Sequence, residues 1–262
     1  MGKRRFKHIH IAKQGLFSYL VSLLSPKSPS WVLVPTMENK SDSLNRIFPF
    51  KLAPDRLKLP EYRSGQYVFL SFPGHSGLYN PRAFYIASSP YNSRYLEFFG
   101  KDTDEWTLQA KRLSEEAGTG SRMLRARLHG PFGNFSMPKT KRRGAKTPES
   151  HVFLAAGMGA VPFFSMLHSL SYDKPDLHIL FLWGARKRDE LFALNELGEI
   201  AVKMKGLSFI PVLSHDPLWT GEKGHIDAEK LSRLVGAEWD GASCWVSGPP
   251  QFRSAIQKIL LY

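Results

Sequence analysis

The sequence predicts two domains in series: an all-β antiparallel barrel over residues 31–145 and an α/β domain with a parallel sheet over 146–262, behind a basic N-terminal arm over 1–30. Short apolar runs separated by turn residues fill the first half. Past Pro148 the pattern changes to longer apolar runs alternating with helical spacing. The 262 residues, 42% hydrophobic and 23% charged, are enough for two cores of ordinary size.

The arm holds Lys3, Arg4, Arg5, Lys7, Lys13 and Lys27 without an acid. Together with Lys139, Lys141, Arg142, Arg143 and Lys146 it carries eleven of the thirteen excess positive charges. Cations confined to an arm and a loop do not make the evenly basic, aromatic-lined groove that nucleic acid requires, so no nucleic-acid partner is expected. Within the arm, Gly15 to Leu24 places Phe17, Leu20, Val21 and Leu24 at helical spacing. A helix lying on an anionic membrane surface, a signal peptide and a packed N-terminal helix all fit that pattern. The following Ser25-Pro26-Lys27-Ser28-Pro29 lacks a small-x-small cleavage site, which weakens the second. No apolar run reaches the roughly 18 residues of a transmembrane helix, so the expected location is cytoplasmic, at most peripheral to a membrane.

In the barrel region, strand-length runs cover Trp31–Pro35, Arg46–Leu52, Gln66–Phe72, Ala83–Ala87, Tyr95–Lys101 and Met123–His129, punctuated by Pro54, Pro60, Pro73, Gly74 and Pro90. Asp102 to Glu116 departs from this, because an acidic start followed by Trp106, Leu108, Ala110 and Leu113 suits a helix. In the second region His151–Ala156, Leu177–Gly184, Leu207–Leu213 and Ser243–Ser247 read as buried strands, with helices over 162–170, 190–203, 228–234 and 251–261. Alternation of that kind builds a parallel sheet covered on both faces. Cys244 is the single cysteine, which excludes an internal disulfide, a cysteine-rich zinc site and a four-cysteine iron–sulfur cluster. The nine histidines show no metal-ligand spacing, so no metal site is expected.

Chemistry concentrates at strand ends. Val152 to Phe163 runs a strand into the turn Gly157-Met158-Gly159-Ala160-Val161-Pro162. Glycines there let the backbone approach a phosphate, and a helix with Pro162 in its first turn aims free N–H groups at that anion; a tight connection with no ligand is the alternative. A second junction, Ser247-Gly248-Pro249-Pro250, ends the last strand and faces the same crevice at the carboxyl edge of a parallel sheet. Between them, Arg186, Lys187 and Arg188 follow a third strand. These cations suit an adenosine 2′-phosphate, and so NADPH over NADH, or else form a solvated loop. In the barrel region, alternation along Arg82-Ala83-Phe84-Tyr85-Ile86-Ala87-Ser88-Ser89 puts Arg82, Phe84 and Ile86 on one face. As chemistry, the aromatic supports a planar ring and Arg82 pairs with a phosphate. As structure alone, this is a half-buried strand with an exposed cation.

Taken together, Gly65-Gln66-Tyr67-Val68-Phe69-Leu70, Arg82 to Pro90, Leu96-Glu97-Phe98, Glu105-Trp106-Thr107, Gly130-Pro131-Phe132-Gly133, Gly157 to Phe163 and Ser247 to Pro250 follow one known order and spacing. Over about residues 30–260 the chain resembles the ferredoxin–NADP reductase superfamily, most of all the dehydrogenase part of ferric reductases and NADPH oxidases. The resemblance implies an FAD-binding barrel followed by an NAD(P)H-binding domain, with FAD and either NADPH or NADH as cofactors. By matched position it implies Phe84 against the isoalloxazine, and Arg82 or the Trp106-Thr107 helix start at the pyrophosphate. Tyr85, Ile86 and Ala87 fall in the same flavin motif, with Ser88 and Ser89 at its end. Gly157, Met158, Gly159, Val161 and Pro162 would bring the turn to the pyrophosphate of the nicotinamide dinucleotide, with Arg186 and Arg188 towards its adenosine. Ser247, Gly248 and Pro249 would lie beside the nicotinamide, so that Phe84, Tyr85 and Ser247 are the residues at the reacting rings.

The chain differs from the family pattern in three places. Tyr85 stands where a Ser or Thr reaches flavin N5, and Ser247 stands where Cys is common. The chain ends at Tyr262, where relatives continue into one more strand and an aromatic segment over the flavin; an open pocket or a shortened sequence is implied. The implied reaction is hydride transfer from NAD(P)H to FAD, then delivery of electrons to an external acceptor. A separate haem membrane protein or iron–sulfur protein is the expected partner, with the basic arm as a membrane-surface contact. The alternative is a non-catalytic regulatory subunit that binds flavin or nucleotide, a reading motivated by Tyr85 and the early C-terminus.

Overall fold

The computed structural model describes residues 6–13, 30–34, 46–54, 58–73, 78, 80–118, 125–137 and 150–261. The helix expected at Gly15–Leu24 and the basic loop Lys139–Lys146 lie outside the described residues. The chain divides into two units: Lys13–Ser136 with Phe164–Ser169, and Met1–Ala12 with Met137–Phe163 and Leu170–Tyr262. Strand β1 (His8–Ile11) belongs to the second of these.

The first unit holds a six-stranded antiparallel sheet built from β2 (Ser30–Val34), β3 (Ile47–Pro54), β4 (Tyr67–Ser71), β5 (Arg82–Tyr85), β6 (Leu96–Lys101) and β7 (Arg125–Phe132). Their order is β5-β4-β7-β2-β3-β6. Period-two alternation makes the core: Phe48, Phe50 and Leu52 of β3 share it with Val68 and Leu70 of β4 and with Phe84. Helix α1 (Glu105–Gly118) adds Trp106, Ala110 and Leu113, three residues spaced along one helical face. Asp104 starts that helix. Its Oδ1 accepts the Thr107 N–H at 3.0 Å, and Thr107 Oγ1 accepts the Asp104 N–H at 3.4 Å, a reciprocal cap. Past β5 the Ile86 N–H donates to the Gln66 carbonyl at 3.0 Å and the Ala87 N–H to the Glu97 carbonyl at 2.8 Å, which ties the end of the flavin motif to β6.

The second unit is a six-stranded parallel sheet of order β1-β12-β8-β9-β10-β11, adding β8 (Ser150–Ala156), β9 (His178–Ala185), β10 (Leu207–Leu213), β11 (Glu222–Lys223) and β12 (Ser243–Ser247). Helices α2 (Val161–Asp173), of which Phe164–Ser169 group with the first unit, α3 (Leu194–Lys203), α4 (Ala228–Leu234) and α5 (Pro250–Leu261) alternate with the strands along the chain. Helix α3 starts later than the spacing predicts. The Glu190 carboxylate turns back to accept the Arg186 N–H at 3.0 Å, and Ala193 takes a left-handed φ of 52° that breaks the helical path.

The arm reading needs correction at residues 8–11. They form the sheet edge, parallel to β12 with His10 opposite Trp245 and Ile11 opposite Val246. Alternation explains this: Ile9 and Ile11 pack on the core, and Phe6 and Ala12 are buried at either end. His10 lies on the other face, its ring stacked on Trp245 at 3.8 Å and 12°. Beneath, the Trp245 Nε1–H donates to His151 Nδ1 at 3.3 Å, a bond that requires a neutral, acceptor nitrogen.

Burial, with help from Lys174 and His10, pushes His151 down from 6.5 to about 4, and burial beside His8 lowers His10 in the same direction. The unfolded chain therefore takes up protons that the native state refuses between pH 6.5 and about 4, and stability falls with pH across that window. Chemical unfolding followed from neutral pH to pH 4 should show a loss of about 3 kcal/mol attributable to His151, and His151→Gln should flatten most of it.

Candidate functional site

Parallel strands end at one edge of their sheet, so the carboxyl ends of β12, β8, β9 and β10 lie side by side in that order. The turn after β8 is held by the Trp183 Nε1–H, which donates to the Gly157 carbonyl at 3.0 Å. Gly157 has φ 51°, and a Cβ built on it meets nothing within 4 Å. Gly159 is the opposite case. A Cβ there would lie 2.4 Å from the Ser247 carbonyl oxygen and 2.6 Å from the Gly248 nitrogen. The turn after β8 thus presses directly against the turn after β12, and only a residue without a side chain fits between them. Val161 and Pro162 are buried and build the start of α2, while Met158 is half-buried beside Gly157. Ser247 is 1% exposed, and among the described residues its Oγ has no hydrogen-bond partner. Gly248 is half-buried and Pro249 exposed. This set presents an open backbone cradle beside an unsatisfied hydroxyl, which fits a bound dinucleotide better than a bare connection.

At the ends of β9 and β10 the cations expected to take a 2′-phosphate are not equivalent. Arg186 is exposed. Arg188 is paired with Asp216, with Nε 2.8 Å from Oδ2 and Nη2 3.2 Å from Oδ1. The pairing raises the guanidinium and lowers the carboxyl from their ordinary values.

In the antiparallel unit the flavin-motif residues divide between the core and the surface. Phe84 is buried, with its ring centroid 5.5 Å from that of Phe50 and 5.4 Å from that of Trp106. These contacts make it part of the first unit's core. Tyr85 points to the opposite face, half-buried, with its ring 5.8 Å from that of Tyr67. Ile86 and Ala87 are buried core residues. Ser88 and Ser89 are also buried, and their hydroxyls are used internally. Ser88 Oγ accepts the Glu97 N–H at 3.1 Å and lies 3.1 Å from the Tyr62 hydroxyl, while Ser165 Oγ donates to the Ser88 carbonyl at 2.7 Å. Ser89 Oγ accepts the Tyr91 N–H at 3.2 Å and meets Ser169 Oγ at 3.3 Å. Burial keeps the Tyr62 phenol protonated well above its usual range, although the Ser88 bond works against it.

Arg82 remains exposed, its guanidinium 5.8 Å from the Trp106 ring centroid and bonded to Asp104. Partial burial raises the Asp104 carboxyl, but the Thr107 N–H and Arg82 outweigh it and hold it below the usual range. Trp106 Nε1–H donates to the Asn80 carbonyl at 3.1 Å, and Thr107 is committed to the Asp104 cap. Asp104 and Asp216 are the residues that the sequence did not point to, since each meets its arginine across a long stretch of chain. Among the described residues no cluster of His, Cys, Asp and Glu could hold a metal ion, and no helix is long and apolar enough to cross a membrane. Cys244 is fully buried in the second core, and burial pushes its thiol up, away from reactivity.

Comparison with known proteins gives the same picture. Residues 153–258 match the family of oxidoreductase NAD-binding domains. The electron transfer component of 2-halobenzoate 1,2-dioxygenase from Burkholderia cepacia is 24% identical over 251 residues, 92% of this chain and 68% of that protein. The reductase component of propane 2-monooxygenase from Gordonia sp. is 31% identical over 154 residues, 59% of this chain and 41% of that protein. The chain thus spans between 41% and 68% of the length of these relatives. Among solved structures, a ferredoxin–NADP+ reductase from Neisseria gonorrhoeae with bound FAD and NADP superposes with a TM-score of 0.65 at 17% identity, over 90% of this chain and 92% of that one. The resemblance to the ferredoxin–NADP reductase superfamily drawn from the sequence motifs is borne out: residues 153–258 match the oxidoreductase NAD-binding family, and the chain shares the two-domain fold of the solved reductase.

The two glycines of the β8 turn should respond differently to alanine. Gly157→Ala costs about 1 kcal/mol for its left-handed φ and leaves the fold intact. Gly159→Ala must drive two backbone segments apart, so a loss of about 2–4 kcal/mol in thermal unfolding, together with loss of dinucleotide binding by calorimetry, is expected.

Proposed function

We propose that this chain is the reductase of an electron-transfer pair, taking electrons from NAD(P)H through FAD and passing them to a separate acceptor protein. It is an NAD(P)H- and FAD-dependent oxidoreductase. The observation that carries the reading is the join between Gly159 and the Ser247-Gly248 turn, which puts an open backbone cradle next to a buried hydroxyl with no partner of its own. Gly157, Met158 and Gly159 hold the pyrophosphate with the N–H groups at the start of α2, and Ser247 supplies the polar contact at the nicotinamide. On the antiparallel unit Arg82, steadied by Asp104 and Trp106, is the cation for the flavin pyrophosphate. Tyr85 is the aromatic available to the flavin ring, in place of the buried Phe84.

When both are bound, the nicotinamide supplies a hydride and the flavin accepts it, chemistry that belongs to the cofactors. The chain's own residues bind, orient and exclude water; no side-chain acid or base is needed for that step. Relatives named as the electron transfer component of a dioxygenase and the reductase component of a monooxygenase support delivery to an oxygenase-type acceptor on another protein. One observation favours a second reading, a non-catalytic flavin- or nucleotide-binding subunit. The hydroxyls of Ser88 and Ser89 are used internally and Phe84 is in the core, so fewer flavin-facing groups remain than the motif implies.

Purified protein, reconstituted with FAD and studied anaerobically, should show flavin absorption that bleaches on adding NADH or NADPH; flavin uptake without bleaching identifies the non-catalytic subunit, and failure of the folded protein to take up flavin sinks the reductase reading and leaves a nucleotide-binding subunit. Ser247→Ala gives a separate check. Its Oγ has no partner to lose, so Tm should stay unchanged or rise slightly while stopped-flow bleaching slows roughly tenfold.

A further inference from the structure

The ends of β9 and β10 continue as a ladder beyond the sheet. The Ser214 N–H donates to the Ala185 carbonyl at 3.0 Å and the His215 N–H to the Arg186 carbonyl at 2.8 Å, so the loop after β10 is drawn alongside the loop after β9. The next residue is Asp216. Its carboxylate side chain is 10% exposed, whereas the Arg188 side chain it grips is 55% exposed. The acid is therefore the fixed partner, held by the paired loops, and its position relative to the cation is set before any ligand arrives. A further contact, the Arg188 N–H to Asp216 Oδ2 at 3.4 Å, joins the backbone to the same carboxylate.

With the pyrophosphate at the β8 turn and the nicotinamide towards β12, the adenosine half of a dinucleotide extends over β9 and β10. The three cations Arg186, Lys187 and Arg188 are then matched in number by Asp189, Glu190 and Asp216, and Arg188, one of the two arginines expected at a 2′-phosphate, already holds a carboxylate. A 2′-phosphate placed there meets Asp216 as well as Arg188, and like charges brought together oppose binding. A free ribose hydroxyl meets no such conflict.

We infer that Asp216 sets the coenzyme preference of this chain, neutralising Arg188 and so selecting NADH over NADPH. This rests on the dinucleotide-binding reading above and reverses the preference that the bare run of cations suggests.

Calorimetric titration of the full chain with NAD+ and with NADP+ tests it without relying on turnover. Wild type should bind NAD+ at least roughly tenfold more tightly than NADP+. Asp216→Asn should tighten NADP+ by roughly tenfold or more, by releasing Arg188 to make a charge-assisted bond, and change NAD+ by no more than about threefold. The double variant Asp216→Asn with Arg188→Ala should lose that gain, and far-UV circular dichroism of both variants should match wild type. Tighter NADP+ binding by wild type overturns the inference, as does an unchanged NAD+/NADP+ ratio in Asp216→Asn or a gain that survives loss of Arg188. Absence of binding by either dinucleotide to folded wild type overturns the dinucleotide-binding reading itself, and the inference with it.

Discussion

The approach of Gly159 to the Ser247 carbonyl and the Gly248 nitrogen is the constraint on which the α/β unit's site depends. Two strands adjacent in a parallel sheet, β8 and β12, end at the same height, and their following turns must either diverge or share space. Here they share it, with no room for even a methyl group. Beside that contact Gly157 faces open space and the Ser247 side chain is buried. A single close packing between backbones therefore joins the two turns proposed to seat the dinucleotide, and the edge strand β1 pairs along β12 up to Val246.

Charge is handled by one device in both units. Arg82 is held by Asp104, which also caps α1, and Arg188 is held by Asp216, which is fixed by the loop after β10. Exposed ion pairs add little net stability, because solvent screens them and long side chains lose freedom in forming them. Their value lies in placement. At Arg82 the stacking over Trp106 keeps the guanidinium at the surface where an anion can displace the acid's share of it. At Arg188 the acid is the better anchored partner, so an incoming anion meets a neutral pair.

Alternation and helical spacing were enough to read ten of the twelve described strands and the helices between them, because each buried face repeats at a period that the chain cannot hide; the two-residue β11 is too short to show one. Where those signals ended, three things were missed. Ile9 and Ile11 alternate with His8 and His10 between lysines and arginines, so a real edge strand resembles a solvated arm. Alternation grouped Arg82, Phe84 and Ile86 correctly but could not say which face meets the core; that is decided by Phe50, Phe98 and Trp106, which lie elsewhere in the sequence. The third is charge pairing, since Arg188 meets Asp216 28 positions away and Arg82 meets Asp104 22 positions away. No local pattern encodes a partner at that distance.

Counting hydrogen bonds separates the serines that the motifs treat alike. Ser88 and Ser89 sit in a segment matched to a flavin site, yet each hydroxyl already has a donor or partner from Glu97, Tyr62, Tyr91 or Ser169. They hold the chain where β5 ends, and a ligand could engage them only by breaking those bonds. Ser247 is as deeply buried and has none among the described residues. A buried hydroxyl without a partner costs free energy that a merely structural position has no reason to retain, since alanine would fill the site without it. Retaining the hydroxyl makes sense where its partner arrives with a ligand, and this supports Ser247, at the end of β12, as a polar contact in the proposed dinucleotide site.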